Sequence, residues 1–259
     1  MESQGNSAHI AGIIPARWDS SRFPGKPLHL LAGKPLLQHV YERATLCEQL
    51  VDIIIATDDE RIEQAAKSWG AKVVMTSASH PTGTDRLAEA VKSLPDATHV
   101  INIQGDEPLI DPALVDQLAQ QLAIDPMLQM ITAANPTSEE EHIQDPNVVK
   151  VVLSESGKAL YFSRSPIPFR RKTSDELTIY RHMGLYGYRR DFLTQFVKWP
   201  PSPLETAEQL EQLRALEHDV DIQVVVTDHQ SLGLDTPEQA PEIEQLLLQR
   251  QTDLLSPKS

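Results

Sequence analysis

Through the first half of the chain, short apolar runs that are hydrophobic on both faces alternate with segments whose apolar residues recur at helical spacing. Ile53-Ile54-Ile55 and Val100-Ile101 offer water no polar side, so each belongs to a strand covered above and below. Stripes such as Leu36, Leu37, Val40, Tyr41 and Ala44 supply the cover. The economical architecture is α/β, a mostly parallel Rossmann-like sheet with helices on both faces. Strands are expected near 9–15, 51–56, 72–75, 99–103, 128–134, 180–188 and 222–226. Helices are expected near 35–47, 59–69, 84–93, 112–124, 190–197 and 203–218, before a helical tail that restarts at Pro241.

The alternation stops after residue 147. Val148 to Leu153, the turn Ser154-Glu155-Ser156-Gly157, and Ala159 to Ser163 read as a β-hairpin. It is expected to build a lobe near 147–200 inside one domain spanning 9–250, since 259 residues sit near the upper limit for a single core. Residues 1–8 are expected to form a disordered tail and 170–178 a mobile loop.

A formal charge of −14 argues against a general nucleic-acid or anionic-membrane binder, so any positive site must be local. The sequence has no uncharged apolar run long enough to span a bilayer and no basic signal-like N-terminus, which reads as cytoplasmic. The single cysteine, Cys47, cannot pair within the chain and is expected as a small buried hydrophobe in a helix.

One segment has the required local charge. After the apolar Ile13-Ile14 come Pro15, Ala16, Arg17, Ser20, Ser21, Arg22 and Lys26, closed by Pro and Gly. Two guanidinium groups, an ammonium and two hydroxyls within ten residues can present several donors to phosphoryl oxygens. No GxGxxG and no lysine-containing P-loop follows any expected strand, which disfavours a nicotinamide enzyme or a P-loop ATPase. In an open α/β sheet ligands bind at the carboxyl ends of the strands, where both this segment and Gln104-Gly105-Asp106-Glu107-Pro108 fall. Asp106 and Asp235 follow different strands, and such a pair can meet at one hard cation. Mg²⁺ takes one or two carboxylates together with phosphate oxygens and water. Taken singly, each aspartate also reads as a turn or helix cap.

The order Arg17, Ser21, Arg22, Pro24, Lys26, Pro27, Leu28 resembles the nucleotide signature of sugar-activating cytidylyltransferases. The later segments most resemble the 3-deoxy-manno-octulosonate (Kdo) cytidylyltransferase family, also called CMP-Kdo synthetases. The resemblance implies that Arg17, Lys26, Asp106 and Asp235 are catalytic, with Asp106 and Asp235 holding Mg²⁺. It further implies that Pro15, Ala16, Ser21, Arg22, Arg86 and Gln104 bind nucleotide. On the sugar side it points to Gln104, Arg164, His182, Tyr186, Glu211 and Gln212, and it implies a homodimer.

Strand alternation places His182, Gly184, Tyr186 and Tyr188 on one face. A projection of the helix expected at 203–218 turns Glu211 and Glu217 inward, beside Leu204, Ala207, Leu210 and Leu213, and turns Gln212 outward. The chain departs from the usual family pattern at Trp18, Ser79, Pro81-Thr82 and Gln230 to Leu234, none of which removes a charged group named above. The expected reaction is transfer of CMP from CTP to Kdo, with diphosphate released, for lipopolysaccharide biosynthesis. The alternatives are another acidic sugar, such as a sialic acid or an amino-substituted Kdo, and a degenerate nucleotide-binding protein.

Overall fold

The computed structural model describes residues 8–19, 23–171, 177–229 and 232–255. It is a mixed α/β fold with a mostly parallel central sheet, as the alternating pattern predicts. The described chain divides into two compact units: one holds residues 11–95, 102–113 and 232–255, the other 8–10, 96–101 and 114–229.

The first unit is built from β1 (Ile10–Ala16) apart from Ile10, β2 (Leu30–Leu31), β3 (Lys34–Pro35), α1 (Leu36–Ala44), β4 (Asp52–Thr57), α2 (Glu60–Ser68), β5 (Lys72–Met75) and α3 (Gly83–Ala90). β1, β4 and β5 pair in parallel, with Ile13 opposite Ile54 and Ile55 opposite Val73. Ile13, Ile14 and Ile55 are fully buried, so water is absent from both faces there and branched apolar chains fill the space. Asp59 caps α2 and Thr82 caps α3 through their side chains. Cys47 lies beyond the end of α1, half-buried, with its Sγ 3.8 Å from the Pro112 carbonyl; the helix stops three residues short of it.

The second unit carries β6 (His99–Asn102), α4 (Pro112–Ile124), β7 (Met130–Thr137), α5 (Glu140–Gln144), β8 (Lys150–Leu153), β9 (Ala159–Ser163), β10 (Ile179–Arg189), α6 (Arg190–Phe196), α7 (Pro203–Glu208), α8 (Gln212–Glu217) and β11 (Ile222–Val226), apart from the terminal residues of β6 and α4 noted above. β11 runs parallel to β7, while β10 is antiparallel to both β7 and β8, and β8 and β9 form the expected hairpin. The lobe expected near 147–200 falls within this unit. Part of the loop expected at 170–178 lies outside the described residues.

The helix expected over 203–218 is two helices. Gln209 adopts φ 54°, a left-handed conformation that ends α7, and the chain restarts at α8. A single helical projection across that break has the wrong phase. Gln212 is buried at 5% exposure, not turned outward, whereas Leu204 and Glu217 are exposed. Glu217 instead accepts a hydrogen bond from the Leu204 N–H at the start of α7.

The chain returns to the first unit in α9 (Ala240–Leu255). Ala240, Ile243 and Leu247 pack with Leu31, Leu36 and Leu234 into one apolar cluster, which anchors the segment leading into the tail. The Glu244 carboxylate accepts from the Ala32 N–H at 2.6 Å, a second tie between α9 and the β2–β3 turn.

Candidate active site

In the first unit, a cavity of about 270 Å³ opens at the carboxyl ends of the strands. Pro15, Ala16, Arg17, Lys26, Arg86, Gln104 and Asp106 all line it, which brings together most of the residues expected to meet nucleotide and metal. Ser21 and Arg22 lie outside the described residues.

Lys26 ties three segments together. Its Nζ donates to Asp106 Oδ2 at 2.6 Å and to the Leu234 carbonyl at 2.8 Å, while the Leu234 N–H donates to the Asp106 carbonyl at 2.9 Å. The loop after β6 and the segment entering the tail therefore run side by side, with Asp235 next to the shared residue. Asp235 is exposed, and its N–H is taken by Gln239 in a capping box around Thr236. The cap of this turn is thus Thr236 and not Asp235 itself, which stays at the surface.

Backbone approach fixes the loops. A methyl on Gly105 would lie 2.5 Å from the Pro15 carbonyl oxygen, so only glycine lets these two cavity walls meet. Gly25, at φ 71°, donates its N–H to the Trp18 carbonyl beneath the Trp18 ring. The Arg61 guanidinium stacks 3.4 Å from the centre of that ring and pairs with Asp59.

Arg86 is almost wholly buried, and its fork is held by Asp58 at 2.8 Å and by Thr76. It lends positive charge to the cavity wall from a fixed position. His80 also lines the cavity and pairs with Glu89. The Ser77 N–H, with His80 and despite some desolvation, holds the Glu89 carboxyl below its ordinary range. His80 has no assignment in the sequence reading; its one signal is its place between the departures at Ser79 and Pro81-Thr82.

The residues expected to meet the sugar lie in the second unit, apart from Gln104. His182 faces Ala134 and Tyr186 faces Thr132 across β7, so a bulge between Met183 and Tyr186 leaves both rings on one face. The rings are 5.3 Å apart, and Phe162 meets His182 edge-on at 5.0 Å. Burial pushes the His182 imidazole down to about 3 and is the first cause raising the Tyr186 phenol well above its usual value. Glu211 adds to the Tyr186 shift and lies 3.7 Å from Arg214.

Arg164 is committed to backbone. Its Nε donates to the Glu208 carbonyl at 2.7 Å, Nη1 to Pro146 at 2.9 Å and Nη2 to Gln209 at 3.3 Å. In return the Glu208 carboxylate accepts from the Arg164 N–H and the Ser163 hydroxyl. Lys150, fully buried, donates to three carbonyls, Arg164 among them. Neither Glu208 nor Lys150 stood out in the sequence, because the contacts that tie them to Arg164 span 44 and 14 residues. Arg164 therefore clasps the break between α7 and α8 that places Glu211 and Gln212.

The model of the family described as "Cytidylyltransferase" matches residues 11–222. The 3-deoxy-manno-octulosonate cytidylyltransferase of Solibacter usitatus is 53% identical over 92% of this chain and 94% of its own length. That of Geobacter sulfurreducens is 50% identical over 88% and 95%. A solved CMP:2-keto-3-deoxy-manno-octonic acid synthetase complexed with CTP superposes with a TM-score of 0.90 at 42% identity, covering 94% of this chain and all of that one. At these identities, over nearly the whole of this chain and of its relatives, the chain belongs to the 3-deoxy-manno-octulosonate cytidylyltransferase family.

Proposed function

We propose that this protein transfers CMP from CTP to Kdo, releasing diphosphate. The observation that carries the reading is the cavity in which Arg17, Lys26 and Arg86 gather positive charge beside Asp106 in a chain of net charge −14. Such a site suits a triphosphate. Arg17 and Lys26 neutralise phosphoryl charge and orient the chain of phosphates, and Pro15, Ala16 and Gln104 bound the space around the nucleotide. The anomeric hydroxyl oxygen of the sugar acid bonds to the α-phosphorus as the bond from that phosphorus to the bridging oxygen breaks. Diphosphate leaves with that oxygen, and the hydroxyl proton passes to solvent.

The donor set fits Mg²⁺: two carboxylates on segments joined through Lys26 and Leu234, one partly exposed and one exposed, leave room for phosphate oxygens and water. Asp106 and Asp235 would hold the ion, which when bound would screen the phosphates and polarise the reacting one. Family membership supports cytoplasmic action as a homodimer in lipopolysaccharide biosynthesis. Equilibrium sedimentation should then give twice the chain mass of 28.9 kDa.

Diphosphate release measured with four nucleoside triphosphates and a panel of sugar acids, with and without Mg²⁺, tests the activity. CTP with Kdo should be the best pair and should require the metal. Faster turnover with a sialic acid or an amino-substituted Kdo would reassign the sugar, and binding of CTP without turnover of any acid would make this a nucleotide-binding protein.

A further inference from the structure

The bulge in β10 collects hydrogen-bonding groups around one fully buried hydroxyl. Thr132 Oγ1 lies 2.8 Å from the Leu185 carbonyl, 3.1 Å from the Met183 carbonyl and 3.0 Å from His182 Nε2. A threonine hydroxyl has one hydrogen and two lone pairs. An oxygen 2.8 Å from a carbonyl oxygen is at ordinary O–H···O distance, and with no hydrogen between them the two would set lone pair against lone pair. The hydrogen of Thr132 therefore goes to a bulge carbonyl. What remains on Oγ1 can only accept, so the third contact requires a hydrogen on His182 Nε2.

We infer that Thr132 locks His182 as its Nε2–H tautomer, so that the opposite ring nitrogen, Nδ1, accepts a hydrogen from a hydroxyl of the sugar acid. This rests on the proposed sugar role of His182. Nδ1 has no hydrogen-bond partner among the described residues, and the ring is only partly exposed between Phe162 and Tyr186. A neutral ring that presents a lone pair attracts a hydroxyl and repels a carboxylate. His182 thus reads a hydroxyl of the sugar, and the carboxylate must be met elsewhere. Thr132 is a positioning residue, acting only through His182.

The direct test is ¹⁵N NMR of the full chain labelled at histidine, with the His182 signal assigned by its loss in His182→Gln. At pH 7 the expected pattern is a protonated Nε2 and an unprotonated Nδ1. Thr132→Val should abolish that pure pattern and raise the KM for Kdo about 3- to 10-fold, the range for one neutral hydrogen bond, with the KM for CTP unchanged. Thr132→Ser, which keeps the hydroxyl, should restore both. A wild-type His182 protonated on Nδ1, or as an imidazolium, overturns the inference without any variant having to fold. A Thr132→Val protein with wild-type tautomer and wild-type KM overturns it too. Failure of the wild type to turn over any sugar acid, with the tautomer as expected, would instead defeat the proposed activity and, with it, the sugar contact.

Discussion

At the scale of single residues, charge placement decides what the site can do. Lys26 is bound to Asp106 and to the Leu234 carbonyl, so its ammonium links two segments, and in the proposed reaction it also meets phosphate. Lys26→Ala should weaken CTP binding by about 1.5–3 kcal/mol, the range for a hydrogen bond to a charged group, and slow turnover. Calorimetric titration with CTP, with circular dichroism to confirm an intact fold, would check it; unchanged affinity would remove Lys26 from the site. Asp106→Asn and Asp235→Asn should each nearly abolish turnover. The double variant should lose far less than the product of the two, because groups serving one assembly are not additive, and fully multiplicative losses in steady-state kinetics would separate their roles. His182 makes a prediction about pH. Its folded value of about 3 lies below the ordinary 6.5, so between those values the unfolded chain binds a proton that the folded chain refuses. Stability is therefore complete above about pH 6.5 and falls as the solution is acidified, by up to about 1.4 kcal/mol per pH unit from this group. Burial lowers His99 as well, which steepens the same slope. Urea unfolding between pH 5 and 6.5 should show a slope reduced by up to one proton in His182→Asn, and an unchanged slope would mean the ring is not buried neutral.

At the scale of elements, backbone proximity and helix breaks position these residues. Because a methyl on Gly105 would meet the Pro15 carbonyl, Gly105→Ala must push the loop after β6 away from the end of β1. The expected loss is about 1–3 kcal/mol of stability, as for other overpacked sites, together with weaker CTP binding. Urea unfolding and CTP titration would measure both, and an unaffected protein would show that the two walls are free to part. The junction of α7 and α8 is held from outside by Arg164, whose planar fork reaches three carbonyls that a lysine ammonium cannot span. Arg164→Lys should lower the melting temperature and raise the KM for Kdo, leaving CTP affinity unchanged. A raised KM with unaltered melting would move Arg164 from clasp to direct sugar contact.

At the scale of the whole molecule, the residues expected to meet nucleotide and, apart from Gln104, those expected to meet the sugar sort into different compact units, with the cavity residues all in the first. Hydrogen exchange should therefore show CTP protecting segments around 13–27, 80–86, 102–107 and 232–235, with lesser change in β8, β9 and α8; uniform protection across both units would contradict this division. The sequence by itself determined the alternation of strands and helices, the hairpin and the basic segment after β1, since periodicity and local charge are properties of neighbouring residues. Matching motifs singled out Arg17, Lys26, Asp106 and Asp235 as the residues proposed to act, and the structure brings the first three to one cavity. Only the tertiary structure decided that Lys26 joins Asp106 to Leu234, that Gln209 splits a helix whose pattern reads as continuous, and that Gln212 is buried. Only it shows Glu208, Lys150 and Thr132 organising Arg164 and His182. These are contacts between residues far apart in the chain, or a single backbone dihedral set by what packs around it, and no local pattern encodes either.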